Sequence, residues 1–258
     1  MGELLFARRV FLAAFLGLVV AAPRASAANR DALWDIIQCL DAQAPPVQAS
    51  PASPRRVCDA VVFDETRGGD SVVIEDIKMS GCRANASADE KDPRSYAYVH
   101  ALALPLARVA GVEQEEGRPG DIWDLAWRTA TIYIPDASDI VLTANPKAHR
   151  TQDQLHVHMT RLRPGAKDEL LHPRPGSRRI PPTYVDALSG PSEPVWTAAE
   201  RSADELAALL GVPPGLKTGA FGVAVVFDEA RVRYAVVAVD DSPEKDYAAR
   251  CPVDEKKP

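Results

Sequence analysis

Apolar and polar positions alternate most sharply over Gln154-Leu155-His156-Val157-His158-Met159-Thr160. At the period of two that a strand imposes, Leu155, Val157 and Met159 share one face, and Gln154, His156, His158 and Thr160 share the other. The same reading predicts short strands at 60–63 and 71–74, a strand over 96–104 that stops at Pro105, and one over 139–143 leading into an Asn145-Pro146 turn. Val-rich segments at 222–227 and 233–239 read as a hairpin. A period near 3.6 appears over 29–43, where Leu33, Trp34, Ile36, Ile37 and Leu40 form a stripe behind Asn29 as cap. It recurs from Ile122 with Asp121 at its cap, and from a Thr197 cap to Leu210 with Leu206, Leu209 and Leu210 inward. Segments 44–54, 80–94 and 165–182 are rich in Pro, Gly and small polar residues and read as loops. Helices and antiparallel strands are mixed, so the expected class is α+β.

The first residues change the expected compartment. Arg8 and Arg9 precede a 12-residue apolar run, Phe11–Ala22, and Ala25-Ser26-Ala27 has the small residues of a cleavage site. Residues 1–27 therefore read as an export signal, with an uncleaved anchor and a twin-arginine route as alternatives. Twelve apolar residues fall short of the roughly 20 that span a bilayer. The four cysteines, Cys39, Cys58, Cys82 and Cys251, then read as two disulfides. Of three possible pairings, Cys39–Cys58 is preferred because it closes a short Pro-rich loop, which leaves Cys82–Cys251. The formal net charge of −6 gives no basic footprint for nucleic acid.

Three of the five histidines, at 149, 156 and 158, lie within ten residues. Two imidazoles on one strand face suit a metal, but a third ligand is hard to find nearby. Asp153 lies on the wrong side of the pleat, Glu169 lies beyond Pro164, and only His149 can bend back. A second reading is an ordinary half-exposed strand. The third is a nucleophilic imidazole that needs an orienting acceptor on one ring nitrogen and donors for phosphate oxygens. His156 is central to the row, with Gln154 and His158 as flanking donors. Asn145, Thr151 and Gln152 are further donors, and Arg150 and Arg108 are preferred phosphate contacts, with Lys78 an outsider. Arg161 and Arg163 fall on the Leu155 face, pointing away. His100, in an apolar strand, reads as a core histidine, His172 as exposed, and Trp123 and Trp127 as core, with an acyl groove as the alternative.

The segment 145–164 resembles the active-site strand of the histidine-triad superfamily, with Gln154, His156 and His158 in the three triad places. Asn145 and Thr151 match the family's upstream asparagine and Ser/Thr. Gln154 departs from the usual first histidine. Further segments resemble the CDP-diacylglycerol pyrophosphatase branch: Leu33-Trp34 and Cys39, Ser71 to Asp76, Leu102 to Glu113 with Arg108 and Gly111, Trp123 to Trp127, and Arg150-Thr151-Gln152. The resemblance implies a histidine-triad-like antiparallel sheet with flanking helices, elaborated by a C-terminal αββ region. The expected divisions are 28–58 (helix and Pro-rich loop), 59–165 (catalytic core) and 166–258 (an extension completing the same domain). It implies hydrolysis of CDP-diacylglycerol at a membrane surface to CMP and phosphatidate, through a cytidylyl-His156 intermediate, with no metal or cofactor. It also implies a periplasmic or membrane-associated location, and that histidine is accepted at position 154. A nucleotidylyltransferase and a nucleotide- or lipid-binding module are the rival readings.

Overall fold

The computed structural model describes residues 29–42, 55–58, 60–65, 69–84, 98–190, 193–212 and 221–251. The expected export signal, the whole 44–54 loop, residues 85–94 of the expected 80–94 loop, the first two residues of the 96–104 strand and the charged C-terminal residues lie outside them. In chain order the elements are α1 (Ala32–Ala42), β1 (Arg55–Val57), β2 (Ala60–Glu65), β3 (Ser71–Glu75), α2 (Ile77–Ala84), β4 (His100–Pro105), α3 (Ile122–Tyr133), β5 (Ile140–Ala144) and β6 (Val157–Arg161). Then follow α4 (Ala166–Leu171), β7 (Thr183–Val185), α5 (Pro194–Leu210), β8 (Gly222–Asp228), β9 (Arg233–Val239) and α6 (Pro243–Tyr247).

All nine strands join one sheet in the order β1-β2-β3-β4-β6-β5-β8-β9-β7. Every pairing among them is antiparallel. The class is α+β, as expected. Register makes two faces. Leu102 pairs with His158, His158 with Thr143, and Thr143 with Ala224, so these side chains share a face. The residues between them, Ala103, Val157, Leu142 and Val225, point the other way.

That second face is dry. α3 lays Trp123, Trp127, Ala126 and Ala130 on it, and α5 adds Val195, Trp196 and Ala199. Trp123 meets Trp196 edge-on at 5.1 Å. Both α3 tryptophans are therefore core and lie across the sheet from the histidines, so they line no groove there. The histidine face is covered at its two ends only. α1 packs Leu33, Ile37 and Leu40 on Val62, Val72, Ile74, Leu102 and Leu104. α4 and α6 pack Leu170 and Tyr247 on Val141, Ala224 and Val226. Each such apolar side chain stabilises by roughly 1.5–3 kcal/mol when fully buried. The gap between the two caps holds the histidines.

Several elements depart from expectation. α4 forms within a segment read as a loop, α2 runs from Ile77 into the start of another, and α6, β1 and β7 were not expected. α5 begins at Pro194, three residues before Thr197, because proline at the first helical position presets φ. Leu209 is 54% exposed rather than inward, because Leu206, Ala207 and Leu210 make the packed side of that last turn. Asp121 stands before α3 but makes no side-chain capping bond. Asn29 does accept the Asp31 N–H at the entry to α1. Both expected disulfides form, Cys39–Cys58 and Cys82–Cys251.

Candidate active site

β6 delivers His158 from within the strand, while Gln154, Leu155 and His156 form its extended lead-in. His156 and His158 are both buried, and their rings meet edge-on at 4.8 Å. The His156 Nδ1 lies 2.7 Å from the backbone oxygen of Gln154. A carbonyl oxygen only accepts, so Nδ1 carries the proton and Nε2 keeps its lone pair. Burial pushes the His156 imidazole down from its ordinary value, and pushes His158 down to about 3. Both rings are neutral at neutral pH.

A cavity of about 610 Å³ opens over this face. Ala32, Leu33 and Ile36 of α1, with Ala60, Ile74 and Leu102, make its apolar side. Asn145, His149, Arg150, Thr151, Gln152, His156 and His158 make its polar side, with Asp76, Lys78 and Glu244. Six of the eight residues expected at the site from sequence thus line one cavity.

The other two are placed elsewhere. Gln154 is fully buried and its Nε2 donates to the backbone oxygens of Pro105 (3.0 Å) and Ala107 (2.9 Å). Both amide hydrogens are taken, so Gln154 ties β4's exit loop to the histidine segment and has none left for a phosphate. The flat row assumed for a regular pleat fails here because 154 precedes the strand. Arg108 is half-exposed, paired with Asp31 at 2.6 Å and stacked over Trp34. It clamps α1 and does not line the cavity. Arg150 lines it but is held by Glu113 through two bonds of 2.5 Å. Gly111 permits this: a Cβ there would sit 1.9 Å from an Arg150 Nη. Gln152 holds the start of α1, accepting from Leu33 N–H and donating to the Asn29 oxygen. Arg161 pairs with Asp139, and Arg163 with Glu169, away from the cavity. His172 is exposed, as expected.

Sequence reading missed Asp76, Glu113, Ser242 and Glu244. Asp76 caps α2, with its Oδ1 accepting Lys78 N–H at 3.0 Å, and turns Oδ2 toward His100 Nδ1 at 2.8 Å. Glu244, on α6, reaches across the sheet. Its Oε1 lies 3.1 Å from His100 Nε2, and its Oε2 lies 3.3 Å from His158 Nε2 and accepts from Asn145 Nδ2 at 2.9 Å. Lys78 pairs with the same carboxylate. Ser242 donates to Asn145 Oδ1 at 2.8 Å and fixes the amide. Burial opposes charge on Glu244, but His158 and then His100 outweigh it and hold the carboxyl well below the usual range. Burial likewise opposes charge on Asp76, and His100 holds it at about 2. His100 is a buried histidine, as expected, yet it belongs to this cluster. Burial pushes its ring down, and Asp76 and Glu244 more than offset that. One sequence signal did mark α6: Ser242-Pro243 is a helix start, with serine capping and proline at the first position.

Fold and site together define an α+β protein with a carbonyl-oriented histidine on the wall of a half-polar, half-apolar cavity. The sequence profile of the CDP-diacylglycerol pyrophosphatase family matches residues 28–179, and the chain belongs to that family. A Mycobacterium bovis CDP-diacylglycerol pyrophosphatase is 29% identical over 177 residues, covering 59% of this chain and 57% of that protein. A Mycobacterium tuberculosis protein of the same name gives the same figures. A Mycobacterium leprae protein, named as a probable CDP-diacylglycerol pyrophosphatase, is 39% identical over 84 residues, 28% of this chain and 29% of its own length. The chain spans little more than half the length of the first two relatives. Glu244, Ser242 and β7 to β9 lie beyond the family match.

Proposed function

We propose that this protein hydrolyses CDP-diacylglycerol to CMP and phosphatidate, with His156 as the nucleophile. The observation that carries the reading is the 2.7 Å contact of His156 Nδ1 with the Gln154 carbonyl oxygen, on the wall of the cavity. It leaves Nε2 as a neutral nucleophile that approaches an anionic diphosphate without charge repulsion. Nε2 bonds to the phosphorus bearing cytidine, and the P–O bond to phosphatidate breaks with its electron pair on the leaving phosphate. Water then attacks the same phosphorus, the P–N bond breaks, and CMP departs. Asn145, Thr151 and Gln152 line the same cavity and are the candidate donors to the phosphoryl oxygens.

The cavity's two halves match an amphipathic substrate. Its apolar side, built on α1, suits acyl chains, and Ile77 at its rim is 84% exposed. An exposed isoleucine beside an apolar trough suits contact with a lipid surface. Two disulfides suit an exported protein.

The test is CMP release from CDP-diacylglycerol micelles by the purified chain in EDTA, comparing wild type with His156→Ala. The expected result is activity in EDTA and a drop of at least roughly 10⁴-fold in the variant, with an unchanged circular dichroism spectrum. Retained activity in a folded His156→Ala protein would falsify the assignment. Incubation with substrate labelled in the cytidine-bearing phosphate should leave label on wild type only. Added alcohol that diverts CMP into a cytidylyl ester would move the reading to transfer, and labelled protein without turnover would move it to binding.

A further inference from the structure

Behind His158, away from His156, four side chains make an arrangement that hydrolysis at His156 does not use. Asp76, His100 and His158 each offer a donor atom, and the three atoms lie within 4.8 Å of one another. All three residues are buried, His100 to 1% exposure and His158 to 4%. The Nδ1 atoms of both rings have no hydrogen-bond partner. Both converge on one oxygen, Asp76 Oδ2, at 2.8 Å from His100 and 4.0 Å from His158. The nearer contact is an ion-pair distance between Asp76 and His100.

The opposite nitrogens are partnered: Glu244 reaches both, and Asn145 Nδ2 also lies 3.2 Å from His158 Nε2. Glu244 turns Oε1 to His100 Nε2 and Oε2 to His158 Nε2. A carboxylate on the outer nitrogen holds the proton there and leaves the inner nitrogen a lone pair, which is how proteins orient histidines around a metal. Here Glu244 does this for His100 and shares His158 Nε2 with the Asn145 amide.

Charge points the same way. The cavity wall carries the carboxyl groups of Asp76 and Glu244. Of the cations on that wall, Lys78 pairs with Glu244 and Arg150 with Glu113. Asp76 has no lysine or arginine partner among the described residues, only the two rings. A buried carboxylate facing two imidazole nitrogens is a donor set that suits a dication.

We infer that Asp76, His100 and His158 form a three-ligand site for a zinc-class divalent ion, with Glu244 as the outer carboxylate that orients both histidines. Zinc bonds to nitrogen and oxygen of about 2.0–2.2 Å in tetrahedral geometry set ligand atoms roughly 3.3–3.6 Å apart. The 2.8 Å and 4.0 Å contacts bracket that spacing, and the widest separation in the group, 4.8 Å, closes to it by a shift of about one ångström. A fourth position remains for water or a phosphate oxygen. The three ligands were invisible as a set in the sequence because they come from the cap of α2, the start of β4 and the middle of β6. The site stands on donor geometry and is independent of the nucleophile assignment.

The experiment loads chelator-stripped full-length protein with one equivalent of Zn²⁺, removes free ion by gel filtration, and records metal per chain and the zinc-edge X-ray absorption fine structure. One zinc per chain with two imidazole nitrogens at about 2.0–2.1 Å is expected. Wild type alone thus tests the site without a variant that might misfold. Replacing Glu244→Gln, which removes the outer acceptor, is expected to weaken binding by about 10–100-fold. Asp76→Asn and His100→Gln should weaken it further, and His172→Ala should leave it unchanged. A shell of oxygen only, or binding indifferent to both Asp76→Asn and His100→Gln, overturns the proposal. Loss of zinc in His156→Ala but not in His100→Gln also overturns it, by moving the ion to the His156–His158 pair.

Discussion

Arg150 shows how a residue's chemistry is decided by what surrounds it. As a bare arginine beside the histidine strand it reads as a phosphate contact. In the fold it is buried with Glu113 across two bonds of 2.5 Å, so its charge is already matched. Removing one partner of such a pair strands the other, at a cost of roughly 3–5 kcal/mol. Glu113→Gln should therefore lower the urea midpoint well beyond the effect of an exposed charge change. The pair also predicts a pH dependence. Burial pushes the Glu113 carboxyl up, but Arg150 outweighs it, and the folded value lies below the ordinary 4.5. Its contribution is fully present above about pH 4.5 and is lost as pH falls through the folded value. Wild type should lose stability below pH 4.5 by this route, and Glu113→Gln should lack that part of the slope. Gln154 makes a second case. The family resemblance implies that histidine would be accepted there, but the amide serves two carbonyls and a histidine ring serves one. Stranding a buried carbonyl costs about 1–3 kcal/mol, so Gln154→His should melt roughly 2–12 °C lower. A variant that melts with wild type would show that the two bonds contribute nothing. The histidine row was legible because a strand's period is two and the types are rare there. The carboxylates were not, because Asp76 and Glu244 lie 82 and 86 residues from His158, and only the sheet order brings them together.

At the scale of elements, what the sequence revealed tracked length and period. α1, α3, α5, β5, β8 and β9 carry strong apolar periodicity, and each was anticipated within a few residues. The missed elements are short: β1 and β7 have three residues, α6 five, α4 six and α2 eight. Elements of that size take their stability from neighbours, so their own sequence says little. α6 depends on β8 most directly. Gly222 lets Pro243 approach so closely that a Cβ at 222 would lie 2.5 Å from Pro243 Cδ and 3.0 Å from the Ala144 carbonyl oxygen. Neither the pyrrolidine ring nor the backbone can rotate aside. Gly222→Ala should push α6 off the sheet and carry Glu244 and Ser242 with it, at about 1–3 kcal/mol of overpacking. Because Asn145 loses Ser242 and Glu244 when α6 moves, CMP release should fall by more than the stability change alone explains. Normal turnover in a variant with a lowered melting temperature would show that α6 is packing only.

The whole molecule raises the question of how a segment outside the family match comes to complete the cavity. The matched region ends at residue 179, and α6 begins more than sixty residues later. The intervening strands β7, β8 and β9 extend the same sheet, so α6 returns onto the histidine face from the far side of β5. A short backbone bridge, Leu162 with Ala248, pins its exit to β6, and Arg163 Nε donates to the Asp246 oxygen beside it. The covalent tie is Cys82–Cys251, which joins α2 to the residues after α6 across a separation of 169. α2 begins beside Asp76 and α6 carries Glu244, so this bond ties together the two elements that bring carboxylates to His100 and His158. Cross-linking so long a loop removes much chain entropy from the unfolded state, and losing a native disulfide costs about 2–5 kcal/mol. Cys39–Cys58 closes a loop of only 19 and lies on the α1 side, remote from Glu244. The two bonds should therefore separate in function. Changing Cys82 and Cys251 together to serine should lower stability and also depress CMP release at temperatures where the protein remains folded. The Cys39 and Cys58 double serine variant should lose stability with turnover per folded molecule close to wild type. Activity measured against the folded fraction, from circular dichroism at the same temperature, decides it. Equal losses per folded molecule in both variants would mean that neither disulfide holds the cavity in shape.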